Sequence, residues 1–224
     1  MRIQDKLDGI RIASRPTTKQ TVISVTTAAM IGVVLGLAAK LVDTPGINPL
    51  FDDIGGRLGI WVFAATLLSV FSYSPKLAAV KAVVFFASML TVYYVYTVLF
   101  LHFFPARAIL FWGLCAVISP ICAYLIWYAR GVGGFSYLMA SLPITVLLVE
   151  GFELRNAYLP VHTHYDLIPL LMGVYLIMII FLLIFIPRIK MKILFILPIA
   201  LFLSFVMIYF NVLGLIFGGL NSFL

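Results

Sequence analysis

Charge is scarce in this sequence, and acid is scarcer than base. Of 224 residues, 8 are Asp or Glu and 15 are Lys or Arg. Charged residues make up 10% of the chain, where a soluble domain carries about a quarter. Hydrophobic residues make up 64% and the mean hydropathy is +1.17, which describes a chain solvated by lipid. Cysteine is almost missing: Cys115 and Cys122 lie seven apart in one apolar run. A helix would put them on one face but about 10 Å apart in rise, too far for a disulfide. They read as small packing residues.

Other absences narrow the function. There is no Asn-x-Ser/Thr acceptor and no small-residue cleavage site after the first apolar run, which continues through Leu37-Ala38-Ala39-Lys40-Leu41. There is no His-Glu-x-x-His, no Gly-x-Ser-x-Gly and no phosphate-binding glycine loop. Gly133-Gly134-Phe135-Ser136 has the outline of an intramembrane serine-protease turn. Its base is missing, because His102, His162 and His164 fall at outer edges and Ser136 near the inner one. The basic residues are too sparse and too close to apolar runs for a nucleic-acid surface. No nucleotide, metal or cofactor site is expected.

What the chain does have is long apolar runs. They cover residues 21–42, 58–73, 77–101, 108–128, 135–149, 167–186 and 193–217. A helical span needs about 20 such residues. The runs do not alternate with period two, which excludes a barrel and leaves helices. The expectation is an all-α polytopic bundle of about seven transmembrane helices: one transmembrane domain, 21–224, behind a basic segment, 1–20. With the N-terminus inside, Arg2, Lys6, Arg11, Arg15, Lys19, Lys76, Lys81, Arg130, Arg188, Lys190 and Lys192 fall inside. Lys40, Arg57, Arg107 and Arg155 fall outside. That is the positive-inside bias, and it puts the C-terminus outside. Asp43, Asp52, Asp53, Glu150, Glu153 and Asp166 collect on the outer side, so the outer surface is acidic.

In the first 20 residues Ile3, Leu7 and Ile10 recur at helical spacing among Arg2, Lys6 and Arg11, with Pro16 as a stop. A short amphipathic helix on the inner membrane face and a basic tail that only fixes topology both fit. In the first span Ala28, Gly32 and Gly36 form a small-xxx-small stripe. Such a stripe packs closely on a neighbouring span or docks a second membrane protein. Residues 43–57, DTPGINPLFDDIGGR, carry enough proline and glycine to be a loop, and enough length to be a lid. The second and fifth runs are short, and Pro143 interrupts the fifth. Short or interrupted spans point to a site, here a depression on the outer side.

Three constellations carry chemistry. Glu150 and Glu153 stand three apart, on one face if the fifth helix continues. Ligand binding and an interfacial ion pair with Arg107 or Arg155 are the two uses of that face. His162-Thr-His164-Tyr-Asp166 would gather ligands on an extended strand, and would otherwise be a solvated loop. Tyr93, Tyr94, Tyr96, Trp61, Trp112, Tyr158 and Tyr165 crowd the outer half, as an interfacial belt or as an aromatic box. Together Glu150, Glu153, Asp43 and Asp53 would supply charge, and Tyr94, Trp112 and Tyr158 the walls, of a pocket for a small cationic or heteroaromatic ligand.

Two family resemblances follow from these residues. From Gly32-x-x-x-Gly36 through Asp43, Trp61, Tyr93-Tyr94 and Glu150, the chain resembles a bacterial integral-membrane family defined as a domain of unknown function. In layout it is similar to the substrate-binding S-components of energy-coupling factor vitamin transporters, although those have six spans. That similarity implies a multi-pass protein of the bacterial cytoplasmic membrane with an outward-facing pocket under a loop. It also implies that Ala28, Gly32 and Gly36 dock a transmembrane coupling subunit energised by ATPases. A membrane enzyme or lipid-handling protein using Glu150, His162 and His164, and a partner subunit without a ligand, are the alternatives.

Overall fold

The structure, a computed structural model, describes residues 9–42, 57–102, 104–154 and 168–215. The described residues are helical, without strands. They group into two compact units, 1–128 and 129–224.

In the first unit, α1 (Thr18–Val42) starts where its sequence provides a reciprocal cap. The Gln20 amide donates to Thr17 Oγ1 at 3.3 Å, and the Thr17 amide donates to Gln20 Oε1 at 2.9 Å. A short helix, α2 (Leu58–Val70), follows. Next comes α3 (Pro75–Leu101), opened by proline in its first turn and by Ser74 Oγ accepting from the Leu77 amide at 3.2 Å. Then α4 (Ala106–Ile126) passes into a 3₁₀ turn, Trp127–Arg130.

The buried face of α1 is Ala28, Gly32, Gly36 and Lys40. Its exposed face holds Met30, Val34, Leu37 and Leu41. Large apolar residues outside and small ones inside is the pattern of a helix that faces lipid and packs on a neighbour. The neighbour is α3. A Cβ on Gly32 would overlap the Ser88 hydroxyl and the Phe85 carbonyl, and one on Gly36 would lie 2.5 Å from the Met89 carbonyl oxygen. Ser88 Oγ completes the contact by donating to the Ala29 carbonyl of α1 at 3.1 Å. The stripe is therefore used within the chain. Beside Gly32 and Gly36 the space is filled by α3, its backbone included.

The second unit holds α5 (Gly134–Glu153), α6 (Ile168–Phe185) and α7 (Ile193–Tyr209), the last entered through a 3₁₀ turn, Lys190–Lys192. Both α6 and α7 pack on α5. As a result 56% of the α5 span is buried, against 11% to 28% for the other spans.

Among the described residues, six helices are long and apolar enough to cross a membrane. The chain is thus an all-helical, multi-pass bundle suited to a bilayer. The second run differs from the expectation of seven spans: α2 has 13 residues, about 20 Å of rise against a hydrocarbon thickness of about 30 Å. The fifth run differs the other way. It is a full 20-residue helix, because it starts at Gly134 and runs past Val149 to Glu153. Two shortened spans are therefore not available to form the expected depression. Among the described residues of the basic segment, 9 and 10 are helical and 11–17 are not, while 18–20 already belong to α1.

Candidate functional site: a carboxylate inside the most buried helix

The polar residues of α5 face its neighbours. Ser136, Ser141, Thr145 and Glu150 are all buried. Pro143 lacks the amide that would bond back to residue 139, so the helix loses a rung at mid-span. Hydroxyls on either side of the proline add bonds to other carbonyls. Ser141 Oγ donates to Leu138 O at 2.8 Å, and Thr145 Oγ1 donates to Ser141 O at 2.9 Å and to Ala200 O of α7 at 3.4 Å.

One turn further on is Glu150, 4% exposed. Tyr175 of α6, itself buried, donates its phenolic hydroxyl to Glu150 Oε2 at 2.9 Å. The sequence explains the meeting. Residues 134–153 form one unbroken helix that brings Glu150 to the α6 side, and α6 turns its buried face of Leu171, Tyr175, Met178 and Leu182 toward it. The pair also explains why α5 outruns its apolar stretch: the hydrogen bond lowers the cost of an acid near the end of a span. Glu153 is half-buried in the next turn.

Two of the aromatic residues expected around this acid, Tyr94 and Trp112, belong to the first unit. Trp112 packs against the cluster of Trp61, Phe85, Phe86 and Met89. Tyr94 makes an edge contact with Tyr93 at 5.2 Å, and the Tyr93 ring lies 4.7 Å from the buried ammonium of Lys40. These are packing and cation–π contacts within that unit. Asp43, Asp53, Tyr158, His162 and His164 lie outside the described residues, so the structure places neither the lid nor the histidine motif. Among the described residues, no three His, Cys, Asp or Glu side chains gather in a way that could hold a metal.

No family model, curated protein or solved structure matches this chain.

The functional argument therefore rests on the residues, and some of the telling ones are bases that sequence reading counts as topology markers or as part of a membrane-surface segment. Arg11 is the clearest. Its guanidinium lies 3.9 Å from the Trp127 ring centroid and donates to the carbonyls of Trp127, of Val70 at 3.0 Å and of Ser72 at 3.4 Å. Trp127 Nε1 donates to the same Ser72 carbonyl at 2.8 Å. Lys81 donates to Leu68 O at 3.0 Å. The last carbonyls of a helix have no partner within it. Here the end of α2 receives two cations and an indole, a match to the negative end of its dipole. Ser14 adds two bonds to Tyr73 O, from its amide at 3.0 Å and its hydroxyl at 3.1 Å. Residues 11–14 thus strap the turn between α2 and α3. The only hint in the sequence is a basic residue beside a proline-terminated segment.

Proposed function

We propose that this chain is a membrane subunit that binds a small cationic molecule and passes it across the bilayer, with Glu150 as the selecting charge. The observation that carries the reading is a carboxylate, 4% exposed, in the most buried span of an apolar bundle. Acids inside spans are costly, and they mark substrate and ion pathways. The Tyr175 hydroxyl donates to one oxygen of this carboxylate, Oε2. That hydrogen bond fixes the carboxylate rotamer, so a cation arriving at Glu150 meets an oriented acceptor.

The cationic part of the expectation is the part these residues support. Its heteroaromatic part draws on Tyr94, Trp112 and Tyr158, of which Tyr94 and Trp112 pack within the first unit and Tyr158 lies outside the described residues. The charge bias places Glu150 toward the outer side, and the site would then load from outside. Any energising partner would dock on a face other than Ala28, Gly32 and Gly36.

The test is native mass spectrometry of the mildly solubilised chain, with identification of the small molecules that co-purify. A stoichiometric organic cation that is lost in Glu150→Gln supports the reading. Retention of the same molecule by Glu150→Gln, or co-purification of phospholipid alone, overturns it.

A further inference from the structure

The other end of α5 carries charge of the opposite sign. The chain there reads Arg130-Gly131-Val132-Gly133-Gly134, and the turn between α6 and α7 brings Arg188, Lys190 and Lys192. Lys192 is 5% exposed. Its ammonium donates to the Gly131 carbonyl and lies 6.0 Å from the Tyr137 ring centroid. Tyr137 in turn stacks on Phe195 at 5.3 Å, the rings 9° from parallel. Arg188 is exposed and within electrostatic reach of both Arg130 and Lys192.

Like charges gathered this way repel. Among the described residues of this unit the acids are Glu150 and Glu153, which lie about 24 Å or more along α5 from Gly134. The start of α5 adds to the positive field: Gly133, at φ 83°, gives no side-chain cap, and the first turn holds no acid. Space beside Gly133 and Gly134 is open, so backbone there is approachable.

The exposed residues of the turn alternate in kind. Arg188 and Lys190 are followed by Ile189 and Met191, 56% and 71% exposed, and Leu194 continues the apolar side at 68%. A site for a soluble anion has no use for that apolar edge. A lipid with a charged headgroup and acyl chains complements both halves.

We infer that this end of the second unit seats the phosphate of an anionic phospholipid, held by Arg188 and Lys190, with Ile189 and Met191 against its acyl chains. The inference does not depend on the role of Glu150.

Native mass spectrometry of the full chain in detergent, with equal amounts of phosphatidylglycerol and phosphatidylcholine, tests it. The expected result is one retained phosphatidylglycerol, favoured about tenfold. The double variant Arg188→Gln/Lys190→Gln should lose that preference. A charge-matched control, Arg15→Gln/Lys19→Gln in the exposed part of the first unit, should keep it. All four side chains are exposed, so a melting scan of both variants should match wild type. Equal retention of the two lipids by wild type overturns the seat, and so does equal loss in both double variants. Displacement of the lipid by excess inorganic phosphate overturns the lipid assignment in favour of a soluble phosphate.

Discussion

In the first unit the two longest helices meet over glycine. In the second the central helix meets its neighbours through hydroxyls and a carboxylate. At Gly32 and Gly36 nothing stands between α1 and the α3 backbone, and Ser88 is the one hydroxyl that bridges them. Along α5, Thr145 reaches α7 and Glu150 receives Tyr175 of α6. A glycine contact is a fit of shapes: it holds one arrangement and offers a solute nothing to bind. A hydroxyl and carboxylate contact carries partners that can be exchanged, and chemistry can enter there.

The contrast can be broken experimentally. Gly36→Leu should have the largest effect on stability, about 3 kcal/mol, because the side chain must displace the Met89 carbonyl region of α3. A thermal scan in detergent reads it, and a wild-type midpoint would mean that α1 and α3 are not so close. Arg11→Ala should cost about 2 kcal/mol, from lost charge-assisted bonds and ring contact, and should quicken proteolysis near residue 14. Unchanged cleavage would show that the strap is not held. Thr145→Val removes a bond between α5 and α7 and should cost about 1 kcal/mol or less. Glu150→Gln should have the smallest effect on the same scan, below about 1 kcal/mol, because an amide oxygen still accepts from Tyr175. Its effect on cation retention should be complete. A Glu150→Gln protein that melts far below Thr145→Val would make the carboxylate a structural residue and remove the distinction between the units.

Much of the helix layout was readable from apolar runs, since hydropathy and length are local properties. The boundaries that moved did so because of contacts. Residues 17 to 20 were assigned to the basic tail, yet the Thr17–Gln20 cap begins α1 at Thr18. The fifth run was ended at an acid, yet a tyrosine 25 residues away lets the helix include it. The stripe of Ala28, Gly32 and Gly36 was legible as a close-packing face, but its partner was not, since period and residue size do not name the neighbour. Glu150 was legible as a costly acid. Tyr175 was not, because one tyrosine in an apolar run looks like any other membrane aromatic. Lys40, Lys81 and Lys192 were read by their side of the membrane, whereas their side chains are buried against a ring or a carbonyl.

The Arg11 strap also has a consequence for timing. Its acceptor at Trp127 lies 116 residues later in the chain. At a synthesis rate of about 5–20 residues per second, Arg11 waits roughly 6–23 seconds before that carbonyl exists. Arg11 is thus fully fastened only after most of the first unit has been made. During the interval its guanidinium remains open to other partners, and once Trp127 is made the segment becomes the clasp that closes the first four helices.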